Sequence, residues 1–488
     1  MAGGLHIVML AAECVPYAKV GGLADVIGAL PRELERLGFT VSVIIPRHRC
    51  IDLAKFGFER LKGFDFPSFD VHRSTLPGSA AEIFLIGNEQ YFSRAGIYSD
   101  TVTGLDFADQ ADRWIFFQRA ALEFSRRAFP RVDILHCHDH QTGLIPAYLQ
   151  RLYGSDPTFA RAGSVFTIHN MGYQGVFPAA TMIRTGFAVT EFYSMSPFEF
   201  YGMMNFMKTG IVFSDAVTTV SETYAREIQE SAQVGYGLEG VVRGRVDPPI
   251  GITNGIDYGI WDPEHDPMLT ARYSRGDVGN KRINKASVFR EFGLDESRMD
   301  HPLLAMISRV DVQKGFDLVV AILDDLLSQD VTFIMLGAGN RETENQLSTI
   351  VARHPGKAAL SLGYDEGFAH LIEAGADIFL MPSKYEPCGL NQMYSMRYGT
   401  VPVVRATGGL ADTVHEFDPA TGNGTGFLFG PYEPLHLKEA VLRALRYWPD
   451  KNTWCRIMMN GMEADFTWAK SARRYAEVYE NVRNRYPA

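Results

Sequence analysis

No run of the 488-residue chain is apolar for long enough to span a bilayer, and no surplus of basic residues marks a polyanion-binding surface. The formal net charge is −10, which argues against nucleic acid or an anionic membrane as the main partner. A neutral partner fits, as does a small anion held by a few local cations. Cysteine is scarce. Cys14, Cys50, Cys137, Cys388 and Cys455 are odd in number, widely spaced and form no C-x-x-C, which fits a reducing cytoplasm better than a disulfide framework. The apolar run 5–12 is short and no basic residue precedes it, so it reads as a buried strand and not a signal peptide. Also missing are a D-x-D pair for a divalent ion, the phosphate loop G-x-x-x-x-G-K-[ST] and the G-x-S-x-G elbow. Gly337-Ala338-Gly339 follows an apolar run but lacks the third glycine of G-x-G-x-x-G, leaving only a weak dinucleotide-like sign.

What is present points to an α/β protein of two or three domains. The stretch Lys19-Val20-Gly21-Gly22-Leu23-Ala24-Asp25-Val26 contains GGLAD, which returns as Gly408-Gly409-Leu410-Ala411-Asp412 after Thr407. Both copies follow an apolar run and open a segment with helical spacing. Paired glycines at such a junction permit a sharp turn and expose the first amides of a helix. That setting favours a phosphate, and Lys19 adds a cation beside it. A Gly-rich turn is also an ordinary α/β connection, and a pentapeptide can recur by chance.

Taken in order, residues 6–13 read as a strand, 24–37 as a helix ending at Gly38, and the alternating Val41, Val43 and Ile45 as a strand stopping at Pro46, a βαβ opening. Residues 47–80 suggest loops with minor strands, 81–86 a strand and 108–128 a long helix. A strand over 132–140 ends in His136-Cys137-His138-Asp139-His140; a helix over 144–152 and a strand over 164–169 follow. The Phe-, Tyr- and Met-rich segment 185–212 has no clear period. A strand over 216–220 leads to Ser221, an N-cap candidate for a helix over 222–230. The break between halves falls near 246–251, where Pro248-Pro249 interrupts the pattern, giving units 1–248 and 249–467. Strands then recur at 303–308, 331–336, 358–362, 377–381 and 401–404. Alternating strands and helices imply two doubly wound parallel sheets, with a ligand at the carboxyl ends of their strands in a cleft. The last helix, 468–485, follows a bend at Phe466-Thr467 and packs either on the first half or on the second.

Three clusters carry possible chemistry. Ser308-Arg309-Val310-Asp311-Val312-Gln313-Lys314-Gly315 puts a guanidinium and an ammonium on one loop after a strand, which suits a pyrophosphate or is two solvated cations. In Ser383-Lys384-Tyr385-Glu386-Pro387-Cys388-Gly389-Leu390, Glu386 precedes a helix expected to begin near Pro387. It is either a first-turn glutamate or a carboxylate that holds sugar hydroxyls. Cys388 reads as a small packed residue and not a nucleophile. Strand alternation places His136, His138 and His140 on one face, as a metal site would, although histidines at the end of a buried strand also pack and hydrogen-bond, and packing is the stronger reading. Asp139 and the pair His169-Asn170 are better placed to touch a ligand.

KVGGLADV, HDHQTGLIPAYL, FTIHNMGYQGVF, SRVDVQKGFDL, KYEPCGLNQMYSMRYGTVPVVR and TGGLADTV, in this order, resemble the bacterial glycogen synthases and plant starch synthases over nearly the whole chain, from Ile7 to about Tyr479. The resemblance implies two Rossmann-like domains in the GT-B arrangement, with the last helix returning to the first. It implies retaining transfer of glucose from ADP-glucose to the non-reducing end of an α-1,4-glucan such as glycogen, in the cytoplasm, with no metal or other cofactor, no nucleic acid and no membrane. Position by position, it implies that Lys19 in the Gly21-Gly22 loop meets the donor's phosphates and that Arg309 and Lys314 bind the pyrophosphate as it leaves. Glu386 lies close to the donor glucose, Asp139 and His169 line the sugar pocket with Asn170 beside them, and Tyr98 and Tyr364 flank the adenine. The Cys388-Gly389-Leu390 turn and Thr407 complete the donor site, and Gly408 and Gly409 offer amides to the phosphate.

Three positions depart from the family's usual residues. Val20 replaces a threonine, His140 stands where tryptophan is common, and Asn391 where threonine is common. The E-x7-E spacing of many related retaining transferases would need an acid at Tyr394; its absence is shared with the family and leaves Glu386 as the one acid there. The rival readings are another GT-B nucleotide-sugar transferase, a glucan phosphorylase, or a catalytically silent glucan-binding protein.

Overall fold

Short apolar runs buried on both sides require helices on both faces of a parallel sheet. The computed structural model describes residues 4–64 and 66–486 and divides into two units, Met1–Gly255 with Trp468–Ala488, and Ile256–Thr467. The strands of the first unit are β1 (His6–Leu10), β2 (Thr40–Pro46), β3 (Glu59–Arg60), β4 (Asp70–Thr75), β5 (Glu82–Gly87), β6 (Ile134–His138), β7 (Gly163–Ile168), β8 (Val176–Pro178), β9 (Glu199–Phe200), β10 (Met203–Asn205), β11 (Ala216–Thr219) and β12 (Ile250–Gly251). Nine of them form one sheet in the order β12-β11-β7-β6-β1-β2-β5-β4-β3, and β8-β10-β9 form a small antiparallel sheet. From β12 to β5 the large sheet is parallel. β4 and β3 then add an antiparallel edge. The connection from β4 to β5 is too short for a crossover helix, so the chain must double back.

The second unit carries β13 (Leu303–Ile307), β14 (Thr332–Leu336), β15 (Ala358–Ser361), β16 (Ile378–Met381), β17 (Val401–Arg405) and β18 (Phe427–Phe429) in one parallel sheet, ordered β15-β14-β13-β16-β17-β18. β18 is one strand more than the alternation showed. In both sheets the winding reverses once, between β1 and β6 in the first and between β13 and β16 in the second.

The boundary lies later than the 246–251 expected from Pro248-Pro249, because Ile250–Gly251 is a strand and pairs with β11. The first unit therefore runs to Gly255 and not to residue 248. The helix Gly22–Arg36 buries Leu23, Val26, Ile27, Leu30 and Leu34, one stripe at helical spacing. The last helix, Trp468–Arg483, joins the same core through Trp468, Ala472, Tyr475, Val478, Tyr479 and Val482. Its Tyr479 hydroxyl pairs with Nδ1 of His136 at 2.8 Å, and Ser471 donates to the Thr253 carbonyl at 2.6 Å. Ser221 caps the helix Glu222–Glu230 by accepting from the amide of Tyr224. Among the described residues no helix is long and apolar enough to cross a membrane.

Burial holds five histidines of the first unit neutral. His136 and His169 are pushed down to about 3, His48 and His140 to about 4, and His138 well below its ordinary value. In the unfolded chain each takes up a proton below about pH 6.5. The unfolded state then binds more protons than the folded one, and unfolding free energy falls as pH falls from about 6.5 toward 4. Asp139 and Glu13, and Glu373 in the second unit, all raised by burial, act in the opposite sense but are outnumbered. A steady drop in Tm between pH 6.5 and 4.5 is expected, and His48→Gln should flatten that slope in a pH series of thermal melts.

Candidate active site

The reversal points of the two sheets decide where side chains can meet a ligand, since adjacent strands there send their chains to opposite faces. In the first unit the loops after β1, β6 and β7 leave three neighbouring strands. The loop after β1 holds Glu13 and Lys19. Glu13 is 2% exposed, and its Oε2 accepts the amide of Gly21 at 3.0 Å and also that of Val20. The Tyr98 hydroxyl donates to its Oε1. Burial raises the Glu13 carboxyl, and the tyrosine and amide bonds offset part of that. Lys19 is half-exposed and paired with Asp25 at 2.7 Å.

β6 ends at His138, earlier than residue 140, because Asp139 adopts a left-handed φ of 56° and turns the chain. The turn removes His140 from the face shared by His136 and His138. His140 instead starts a short 3-10 turn, with Nδ1–H donating to the Tyr173 carbonyl at 2.9 Å. His136 has both ring nitrogens engaged, Nε2 with Thr167 at 2.7 Å and Nδ1 with Tyr479, which agrees with packing and hydrogen bonding as the stronger reading. Among the described residues no group of three or more His, Cys, Asp or Glu is arranged to hold a metal ion. Asp139 Oδ1 accepts the His169 amide at 2.7 Å, and the Asn170 amide also bonds this carboxylate. These bonds only partly offset burial, which pushes Asp139 up to about 7. His169 Nε2 faces His138 Nδ1 at 2.9 Å, and Asn170 Oδ1 accepts the Gly172 amide at 2.9 Å. Asp139, His169 and Asn170 thus form one polar cluster at the ends of β6 and β7.

In the second unit the loops after β13, β16 and β17 converge. Lys314 lies in the short turn Val312–Lys314 after β13, and its Nζ meets Glu386 Oε2 at 2.6 Å. Ser383 donates to the same oxygen at 2.9 Å. The two loops are further tied by the Lys384 amide on the Gln313 carbonyl at 2.8 Å and by Asn391 Nδ2 on the Ile307 carbonyl at 3.0 Å. Glu386 is buried, whereas Arg309 and Tyr364 are exposed. The helix after Glu386 runs Asn391–Arg397, so it starts later than Pro387, and Glu386 stands in an irregular loop and not beside a helix start. Cys388 is buried in that loop, ahead of Gly389 and Leu390.

At the second glycine pair the expected phosphate contact fails for the Gly409 amide. The Gly409 amide donates to the carbonyls of Glu386 at 3.1 Å and Pro387 at 3.2 Å, so it is engaged with the chain itself. A Cβ at Gly408 would stand 1.9 Å from the Glu386 carbonyl oxygen, and one at Gly409 would stand 2.1 Å from that of Cys388. The pair is needed for close approach of the β17 loop, including buried Thr407, to the Glu386 loop. Gly337 has the same kind of role: its Cβ would stand 1.8 Å from the Ser308 carbonyl oxygen, and the Val310 amide donates to Ala338. Close packing on the Arg309 loop accounts for the weak dinucleotide-like sign. At the first glycine pair, the Gly21 amide serves Glu13, while Gly22 opens the helix.

The candidate cluster that reasoning from residues overlooked is Glu13. The signal was there: it is the only charged side chain between Ile7 and Ala18. Tyr98, expected beside the adenine, has its hydroxyl on Glu13 and its ring 6.2 Å from that of Trp114.

A starch synthase catalytic domain family model matches residues 6–244, and a glycosyl transferases group 1 model matches residues 291–455. The chain belongs to the glycogen and starch synthase family. It is 43% identical to a glycogen synthase of Koribacter versatilis, over 98% of either chain. It is also 43% identical to one of Thermotoga maritima, over 98% of this chain and 99% of the other. The catalytic domain of starch synthase IV from Arabidopsis thaliana, solved with ADP and acarbose, superposes with a TM-score of 0.90 at 32% identity, covering 99% of this chain and all of that one. Sucrose-phosphate synthase from Thermosynechococcus elongatus shares the fold at a TM-score of 0.61 and 16% identity. Two Rossmann-like units are the organisation of the GT-B glycosyltransferases, and this family member is a glycosyltransferase.

Alanine at Gly408 separates the two readings of the glycine pair. It keeps the amide, so a donor role alone would tolerate it. The φ of 44° and the blocked Cβ predict instead that Gly408→Ala destabilises the second unit by about 2 kcal/mol or more, measurable by urea unfolding.

Proposed function

We propose that the chain elongates glycogen by transferring glucose from ADP-glucose to the non-reducing end of an α-1,4-glucan, with retention at the anomeric carbon. The observation that carries this reading is the Lys314–Glu386 pair at the reversal point of the second sheet, with Arg309 on the same loop. The family relationship, and the ADP and acarbose bound by the Arabidopsis relative, support it.

The task is to break the bond between glucose C1 and the diphosphate oxygen. Negative charge builds on the departing ADP while the sugar becomes oxocarbenium-like. Fixed cations lower that barrier without reorganising during the reaction. Arg309 suits a forked contact to the diphosphate. Lys314 has three N–H groups, one of which serves Glu386, and the others can turn to phosphate oxygens. Lys19 supplies a further cation for the phosphates. Glu386, held by Lys314 and Ser383, lies close to the donor glucose. Asp139, His169 and Asn170 line the sugar pocket, and Asp139, poised near neutrality, can donate to or accept from a sugar hydroxyl. Tyr364, 71% exposed, offers its ring to the adenine. The acceptor hydroxyl attacks from the face that the leaving phosphate vacates, and the phosphate takes its proton. Charge neutralisation is assigned to these side chains, with no metal.

Labelled ADP-glucose with glycogen tests the activity, with UDP-glucose and glucose 1-phosphate as competing donors. Arg309→Ala and Lys314→Ala should each lower kcat by roughly a hundredfold or more, the usual cost of losing a transition-state donor. Near-normal turnover in both variants would refute these roles.

A further inference from the structure

We propose that the exposed tyrosines beyond the Asn170 loop form a stacking platform along which the α-1,4-glucan chain lies. This rests on the glucan-elongating function proposed above. The platform centres on the Phe-, Tyr- and Met-rich segment that showed no period. Met195 is 87% exposed, Tyr201 83%, Tyr193 61% and Tyr173 51%, with Tyr236 partly exposed beside them. They are neighbours. Glu199 accepts the Met195 amide at 2.7 Å on one oxygen and the Gly202 amide at 2.6 Å on the other. The ring of Tyr201 packs edge-on to Phe200 at 4.7 Å, and both rings border Gly237, the residue after Tyr236. Gln174, the residue after Tyr173, donates to the Tyr236 carbonyl at 3.1 Å.

Two further observations turn this surface into a site. Among the described residues the non-glycine positions with positive φ are Asp139, Met195, Tyr201 and Tyr236. One lies in the sugar cluster and three on the platform. A bulky side chain in the left-handed region is strained, and Met195 and Tyr201 gain little burial in return. The backbone is held where it presents these side chains outward. The second observation is charge. Residues 185–212 contain one cation and two acids. Lys208 is buried, its Nζ donating to the Ser196 carbonyl at 2.8 Å and to that of Glu199. Glu191 is paired with Arg151 at 3.1 Å, and Glu199 is occupied by the two amides. The surface is close to neutral, which disfavours nucleic acid, anionic lipid and acidic or basic peptides.

A glucan is neutral, and the C–H face of each pyranose packs on an aromatic ring while its hydroxyls reach a phenol, whose apolar body and polar tip suit both. The platform is also continuous with the sugar cluster. Tyr173 closes the turn that begins at Asn170, its amide donating to the Asn170 carbonyl at 3.2 Å, and its own carbonyl accepts from His140, the residue after Asp139. A polymer whose end is held at Asp139 and His169 has its next residues delivered to these rings.

Native gel electrophoresis of the full chain with and without glycogen tests this. Asparagine tolerates a left-handed φ and carries no ring, so Tyr201→Asn with Tyr236→Asn removes the faces while relieving the backbone. Retardation by glycogen should fall at least fivefold in this double variant and the KM for glycogen should rise by a similar factor. Its KM for ADP-glucose should match the wild type, and its Tm should be equal or higher. Tyr201→Phe should retain the retardation. Undiminished retardation of the double variant overturns the platform. So does a loss of retardation accompanied by a change of oligomeric state in light scattering, which would assign the patch to a second copy of the chain. A wild type that is retarded by glycogen yet does not turn over ADP-glucose defeats the proposed function, and the platform then stands or falls by the gel.

Discussion

Where a parallel sheet reverses its winding, the crossover helices on either side pass to opposite faces and leave the carboxyl ends of two adjacent strands uncovered. Glu13, Lys19, Asp139, Arg309, Lys314 and Glu386 all emerge at such points. In the first unit, β1 proceeds to β2 on one side and has β6 on the other, so Glu13 and Lys19 emerge next to Asp139 and His169. In the second, β13 has β14 on one side and β16 on the other, which brings Lys314 and Glu386 to 2.6 Å. A pair separated by 72 residues in the chain becomes a contact because two strands are neighbours.

Buried carboxylates then set the shape of the exposed loops. Glu13 gathers the amides of Val20 and Gly21, so the loop that carries Lys19 is built around a negative charge belonging to the protein itself. Glu386 does the same for Lys314 and Ser383. The Val20 and Gly21 amides are spent on Glu13, whereas the Lys314 ammonium is held by Glu386 with N–H groups to spare. Such preorganisation is what makes electrostatic stabilisation effective when charge develops on a leaving group.

Most strands were legible because each is a short apolar run buried on both faces and bounded by Gly, Pro or a polar residue. β3 and β4 were legible only as unplaced minor strands within 47–80, since Glu59–Arg60 and Asp70–Thr75 lie at a half-exposed edge and carry a polar sequence. β8, β9 and β10 escaped because aromatic and Met residues fill both exposed and buried positions there. Packing was the right reading of the histidines, but His140 was placed on the face of His136 and His138 because no side-chain alternation reveals the left-handed turn at Asp139. The second glycine pair showed that a Cβ is missing, but whether the freed space or the adjacent amide is used depends on a chain segment that arrives through tertiary folding. Glu13 was visible as a lone charge in an apolar stretch, and its partners were not.

The helix Trp468–Arg483 has a bearing on biosynthesis. Its Trp468, Tyr475 and Tyr479 complete a core whose other walls lie within the first 255 residues. A ribosome adding about 5–20 residues per second needs roughly 10–40 s to make the intervening segment. Throughout that interval the amino-terminal half has left the exit tunnel with an apolar flank uncovered and His136 lacking its phenol partner. The nascent chain must therefore be shielded from self-association until its final turns are translated.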